Sequence, residues 1–152
     1  MTPYDCIQDI THFLKENLKA YEGRNEETQK PVLCYAGFLP RARSAELKAK
    51  YCPAVVVGYR KIDDTRQEST VSIVITVTAY DEDMLQGCMT LYHLLEYVRQ
   101  QLWMHNPICN RYQIRGGTME TFIPDEHPYP QWYGRIDFDV NIPQPERYDG
   151  WI

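Results

Sequence analysis

Apolar residues recur at helical spacing near the N-terminus, at Ile7, Ile10, Leu14 and Leu18, with Phe13 beside them. Thr2 can cap this run, Pro3 suits a first helical turn, and Asp5 stands where a reciprocal cap and the helix dipole favour a carboxylate. The pattern predicts a helix over 3–21, with Gly23 as its stop and the polar run Arg24–Pro31 as an exposed connector. Val32–Leu39 reads as a short strand closed by Pro40. Residues 41–50, rich in Ala, Lys, Arg and Glu, fit either a brief helix or a loop. Ala54–Tyr59 is apolar on both faces, as a central strand would be, and Asp63–Glu68 reads as a charged turn.

Thr70–Tyr80 alternates more clearly. Val71, Ile73, Ile75, Val77 and Ala79 share one face, and Ser72, Thr76 and Thr78 the other, with Val74 the exception. Asp81-Glu82-Asp83 ends that strand, and Asp83 with Gln86 offers a capping box for a long helix over 84–105. Its stripe is Met84, Cys88, Leu91, Leu95, Val98 and Leu102, spaced for packing on a sheet. Tyr112–Arg115 and Thr118–Ile123 read as strands around Gly116-Gly117, a kink, bulge or turn. Trp132–Ile142 is two-faced: Trp132, Gly134, Ile136, Phe138, Val140 and Ile142 point one way, and Tyr133, Arg135, Asp137, Asp139 and Asn141 the other. Strands in adjacent runs, without βαβ alternation, predict an α+β fold. The expected sheet is largely antiparallel or mixed, with about four to five strands and two main helices on one face. One domain is expected over 1–143, followed by an extended tail over 144–152 in which Trp151-Ile152 can dock.

Composition narrows the function. Of 152 residues, 43% are hydrophobic and 24% charged, the balance of a globular domain, and the formal net charge is −5. An acidic chain is a poor generic binder of nucleic acid or anionic membrane. No apolar run approaches the roughly 20 residues of a membrane span, and the acidic N-terminus is not a secretory signal. The five cysteines are widely spaced with no C-x-x-C pair, which points to reduced thiols rather than a metal site or a disulfide framework. Phosphate-loop, dinucleotide, nucleophile-elbow and zinc-protease motifs are all absent, and no cofactor or metal is expected.

The best enzymatic candidates are Asp125, Glu126 and His127, since a carboxylate beside an imidazole can make a general base. A hydrolase built on His127 with Asp125 or Glu126 still lacks an identifiable nucleophile or electrophile stabiliser. Pro124, Pro128 and Pro130 fix φ and remove donors, so the segment reads instead as a stiff connector outside the sheet. The Tyr129-Pro130 bond is a candidate for cis. Tyr129, Trp132 and Tyr133 then place polar-tipped aromatics at the entrance of the last strand, which suits a protein interface, so catalysis is not the expectation here.

The ordered set Tyr51–Val57, Ser72–Ile75, Thr78–Asp83, Leu91–Leu102 and Met119–Pro143 resembles the tail terminator (tail-completion, minor tail) proteins of long-tailed phages and prophages. The most specific stretch is Glu126–Gly134, and His127 departs from the family pattern, which more often has another polar residue there. The resemblance implies an α+β structural protein, not an enzyme. Such a protein forms a ring, typically a hexamer, on the head-proximal end of the tail tube, where it stops tube polymerisation and presents a surface to the head-side connector. The implied location is the virion tail, assembled in the host cytoplasm, with phage DNA passing through without specific binding and no membrane involved. Tyr129, Trp132, Tyr133, Asp137 and Asp139 are the candidate interface residues. A different head–tail connector or neck component is the nearest alternative, and a soluble adaptor binding a peptide along a sheet edge is another.

Overall fold

The computed structural model describes residues 1–26, 29–38 and 44–146. One five-stranded sheet organises them: β1 (Leu33–Ala36), β2 (Ala54–Asp64), β3 (Ser69–Tyr80), β4 (Glu120–Phe122) and β5 (Gln131–Ile142), in the spatial order β1-β2-β3-β5-β4. β1 pairs parallel to β2, and every other pairing is antiparallel. The helices are α1 (Pro3–Asn17), α2 (Ala45–Tyr51) and α3 (Gly87–Met104), so the fold is α+β with a mixed sheet.

α1 packs on β1 and β2, and α3 on β3 and β5, on the same side of the sheet. Their apolar stripes meet Val55, Val57, Ile73, Ile75, Val77, Ile136, Phe138 and Val140, all inaccessible or nearly so. Burial of this apolar area is the main stabilising term. β3 is central: its register with β5 runs unbroken from Ser69↔Ile142 to Tyr80↔Gln131.

The Thr2–Asp5 capping box forms as the sequence predicts, with Asp5 N–H donating to Thr2 Oγ1 and Thr2 N–H to Asp5 Oδ2. The other end arrives early. α1 gives way to a 3₁₀ turn at Leu18–Ala20, and Tyr21 is already extended at φ −68°, ψ 130°, so Gly23 is not the stop. Tertiary contacts end the helix here: Tyr97 OH donates to Asn17 O at 2.7 Å, and Tyr21 OH lies 2.8 Å from His93 Nδ1. The first bond satisfies a carbonyl that a helix end leaves open.

α3 starts at Gly87 rather than residue 84. Asp83 Oδ1 accepts from the N–H groups of Leu85 and Gln86, so the carboxylate caps a turn and not the helix, and Met84 is exposed. The buried stripe is Leu91, Leu94, Leu95, Val98 and Leu102. Gly87 meets the Trp132 indole so closely that a Cβ there would stand 2.8 Å from ring atoms.

β2 runs past the expected turn to Asp64. A bulge between Tyr59 and Lys61 absorbs one residue, after which pairing with β3 resumes. The turn shrinks to Thr65–Glu68, closed by Thr65 N–H on Glu68 O, with Thr65 Oγ1 accepting from Gln67 and Glu68. Tyr112–Arg115 makes only isolated bridges, Ile108↔Tyr112 and Ile114↔Val140. Tyr112 turns inward instead, where its buried ring donates a hydrogen bond to Asp9 Oδ2 at 2.6 Å. Gly116-Gly117 is a turn, with Gly117 in the left-handed region at φ +77°, which glycine adopts without steric cost.

Residues 44–51 include a helix of seven residues, and its N-cap Ser44 accepts from Leu47 N–H. The predicted strand end at Leu39-Pro40, part of the 41–50 segment, and the Trp151-Ile152 docking element lie outside the described residues. Of the tail, Gln144 donates from Nε2 to Thr65 O and Glu68 O, fastening the exit of β5 to the β2–β3 turn.

Candidate functional site

The proline-rich connector lies outside the sheet and leads into β5. Tyr129-Pro130 is cis, and Asp81 N–H donates to Pro130 O at 3.0 Å, tying the connector to the end of β3. Tyr129 OH donates to Glu82 O, and Trp132 Nε1 to Asp81 O at 3.0 Å. Trp132 is thus held by its own chain, against Gly87 and the core edge, while Tyr129 and Tyr133 keep exposed surface.

His127 is also held locally. Its Nδ1 accepts from the Tyr133 backbone N–H at 3.1 Å, and its ring packs at 5.3 Å from Trp132 and 5.4 Å from Tyr133. Asp125 and Glu126 are exposed and make no hydrogen bond or ion pair among the described residues. The structure therefore does not join these three side chains into a base–carboxylate pair. Among the described residues no group of three or more His, Cys, Asp or Glu is placed to hold a metal ion. No disulfide joins any of the five cysteines among the described residues.

The more distinctive surface is the sheet face opposite the helices. Cross-strand register lays it out in rows: Ala54, Thr78 and Tyr133; Val56, Thr76, Arg135 and Phe122; Gly58, Val74, Asp137 and Glu120; Lys61, Ser72 and Asp139. An open groove of about 810 Å³ extends from this face, past Val56, Gly58 and Val74, round the β2 flank to Tyr59, Phe38 and Ile7 of α1.

Toward β4 the same face becomes acidic. Glu120 stands directly opposite Asp137, an arrangement that costs free energy between like charges. Arg135 moderates it, with Nε 3.3 Å from Asp137 Oδ2 and its guanidinium 5.1 Å over the Phe122 ring. Asp137 is only 9% exposed, yet its Oδ1 has no partner, and neither has the buried Ser72 Oγ in the neighbouring row. Asp139 is half-buried; its backbone N–H donates to Thr118 Oγ1.

Of the residues singled out in the sequence, Tyr129, Trp132 and Tyr133 cluster at one end of β5. Asp137 and Asp139 lie farther along it, on the same face as Tyr133. Sequence reading passed over Glu120, Ser72, Arg60 and Lys61, because their placement depends on strand register and on the β2 bulge. No protein-family model matches this chain, and no curated protein sequence matches it. No helix among the described residues is long and apolar enough to cross a membrane.

Proposed function

We propose that this protein is a structural, ring-forming subunit of a virion rather than an enzyme. More specifically, it is the tail terminator of a long-tailed phage or prophage, capping the head-proximal end of the tail tube and forming the surface that joins the head. The observation that carries the reading is the one-sided sheet with two chemically different edges. A cyclic ring uses heterologous contacts, so each subunit needs two distinct, complementary patches. Here one edge is the flank of β2 beyond β1, bearing Arg60 and Lys61 and with no partner strand among the described residues, and the other is β4 with Glu120. The ordered sequence resemblance supplies the particular assignment. Asp137 and Asp139 lie on a face whose charge disfavours phosphate, which suits a channel that lets DNA slide.

Light scattering on the purified chain, alone and with tail-tube protein, tests this. A ring of about six subunits of 17.9 kDa is expected, together with tubes arrested at one end. A strict monomer under both conditions overturns the proposal. Tyr129→Ala with Tyr133→Ala is expected to leave the subunit folded and to impair ring or tube binding; intact assembly removes these aromatics from the interface. His127→Ala is expected to assemble normally, and a folded variant that assembles yet yields non-infectious particles would bring the hydrolase alternative forward.

A further inference from the structure

The two edges of the sheet differ in charge: the β2 flank carries Arg60 and Lys61 ahead of Asp63 and Asp64, and the β4 edge carries Glu120. β1 flanks β2 only as far as Val57, where Gly37 N–H donates to Val57 O at 2.8 Å. From Gly58 to Asp64 the flank of β2 away from β3 has no partner strand among the described residues. An unpaired strand flank is a ready template for another chain unless something covers or blunts it. The bulge at Tyr59–Lys61 leaves Arg60 without a cross-strand partner on β3, at the rim of the groove beside Gly58 and Val74. Arg60 is exposed and has no ion pair among the described residues, and Lys61 is paired only with the equally exposed Asp63, at 3.2 Å. Tyr59 and Ile62 add exposed apolar surface on the same stretch.

At the far edge, β4 is three residues long and entirely exposed. Glu120, Asp125 and Glu126 carry no ion pair among the described residues, and Phe122 is half-exposed. Asp137, directly opposite Glu120, keeps one buried carboxylate oxygen without a donor. A buried acceptor left unsatisfied is costly to the isolated chain.

We infer that the partner of each edge is a second copy of this chain: the β2 flank at Tyr59–Ile62 of one subunit docks against the β4 edge of the next, with Arg60 and Lys61 facing Glu120, Asp125 and Glu126. The directions agree. β4 runs antiparallel to β5, β5 to β3 and β3 to β2, so a neighbour in the same orientation brings its β2 antiparallel to β4. The contact is heterologous and leaves a pair of subunits with one unused edge of each kind, so further subunits can add until the rotation closes the ring. An Arg at this position also offers the planar, bidentate donor set that carboxylates accept best. The inference rests on the ring reading above, and it names the surfaces that would build the ring.

Charge exchange tests it by light scattering, with circular dichroism confirming that each variant is folded. Arg60→Glu with Lys61→Glu, and separately Glu120→Lys with Glu126→Lys, are each expected to weaken self-association at least tenfold. A one-to-one mixture of the two variants is expected to regain the ring, because alternating subunits then present opposite charges at every junction. Folded variants that assemble like the parent overturn this pairing while leaving the ring reading standing. Separate variants that dissociate but fail to rescue each other overturn it as well. A parent chain that never self-associates overturns the ring reading itself. Should a variant misfold, a photo-reactive benzoylphenylalanine at position 59 decides: cross-links to residues 119–127 of another copy are expected, and cross-links only elsewhere reject the assignment.

Discussion

The two faces of the sheet are built from the same strands and obey different rules. On the helix side, Val55, Ile73, Ile75, Phe138 and Val140 form a continuous apolar surface closed to water. On the other side the same strands present Thr76, Thr78, Arg135 and Asp137 around a few valines, with an acceptor and a hydroxyl left unpaired. The first face is satisfied by its own chain. The second carries like charges, and polar atoms with no partner among the described residues. The stability of the fold resides on the helix-side face.

That contrast can be broken most forcefully from the core. Phe138→Ala is expected to cost about 3–5 kcal/mol in urea unfolding, since a fully buried aromatic leaves a cavity between α3 and the sheet. Gly87→Ala comes next, at about 1–3 kcal/mol, because the new methyl meets the rigid Trp132 ring and one of them must shift. Trp132→Leu in the same chain should recover part of that loss, and failure to do so would separate the two residues energetically.

Alkaline pH probes the buried side with a smaller, graded effect. Burial, with Asp9 nearby, pushes the Cys6 thiol up to about 12; burial alone pushes the Tyr21 phenol to about 12, and it is the main cause that raises Cys34 to about 11. Each group is neutral when protonated, and its folded value exceeds the unfolded one, near 9 for the thiols and 10 for the phenol. Their contribution is complete below pH 9 and is lost as pH climbs toward 12, by at most about 1.4 kcal/mol per group per pH unit. Unfolding midpoints flat across this window would mean that these groups remain hydrated in the folded chain.

The smallest expected change in subunit stability sharpens the comparison from the other side. Asp137→Asn should move the unfolding free energy by less than about 1 kcal/mol, because the carboxylate already lacks a full set of partners. The same variant is expected to weaken assembly measurably. A large loss of subunit stability would place Asp137 among the groups that hold the fold.

Legibility in the sequence followed the same division. The α1 cap, the alternation of β3 and β5 and the stripe of α3 are local patterns of period 3.6 or 2, and residues such as Ile73 and Leu95 declared their faces. Features set by distant partners were misread. α3 opens at Gly87, packed against Trp132; α1 ends where Tyr97 meets Asn17, and Tyr112 leaves the sheet for Asp9. Asp137 was rightly assigned to the polar face, yet its burial and its opposition to Glu120 follow from a register that no single segment encodes. His127 looked chemical beside two acids, and only the fold shows its ring engaged with the Tyr133 backbone.

The pairing of β3 with β5 also sets an order of events during synthesis. Thr70 and Asn141, bonded across that pair, are 71 residues apart in the chain. The β2–β3 hairpin can form as it leaves the ribosome, but the central strand keeps one bare flank until β5 has been translated. During that interval the nascent chain exposes a long, β-branched edge to every neighbour on the same messenger, so dense translation of this message favours chaperone engagement before the sheet is complete.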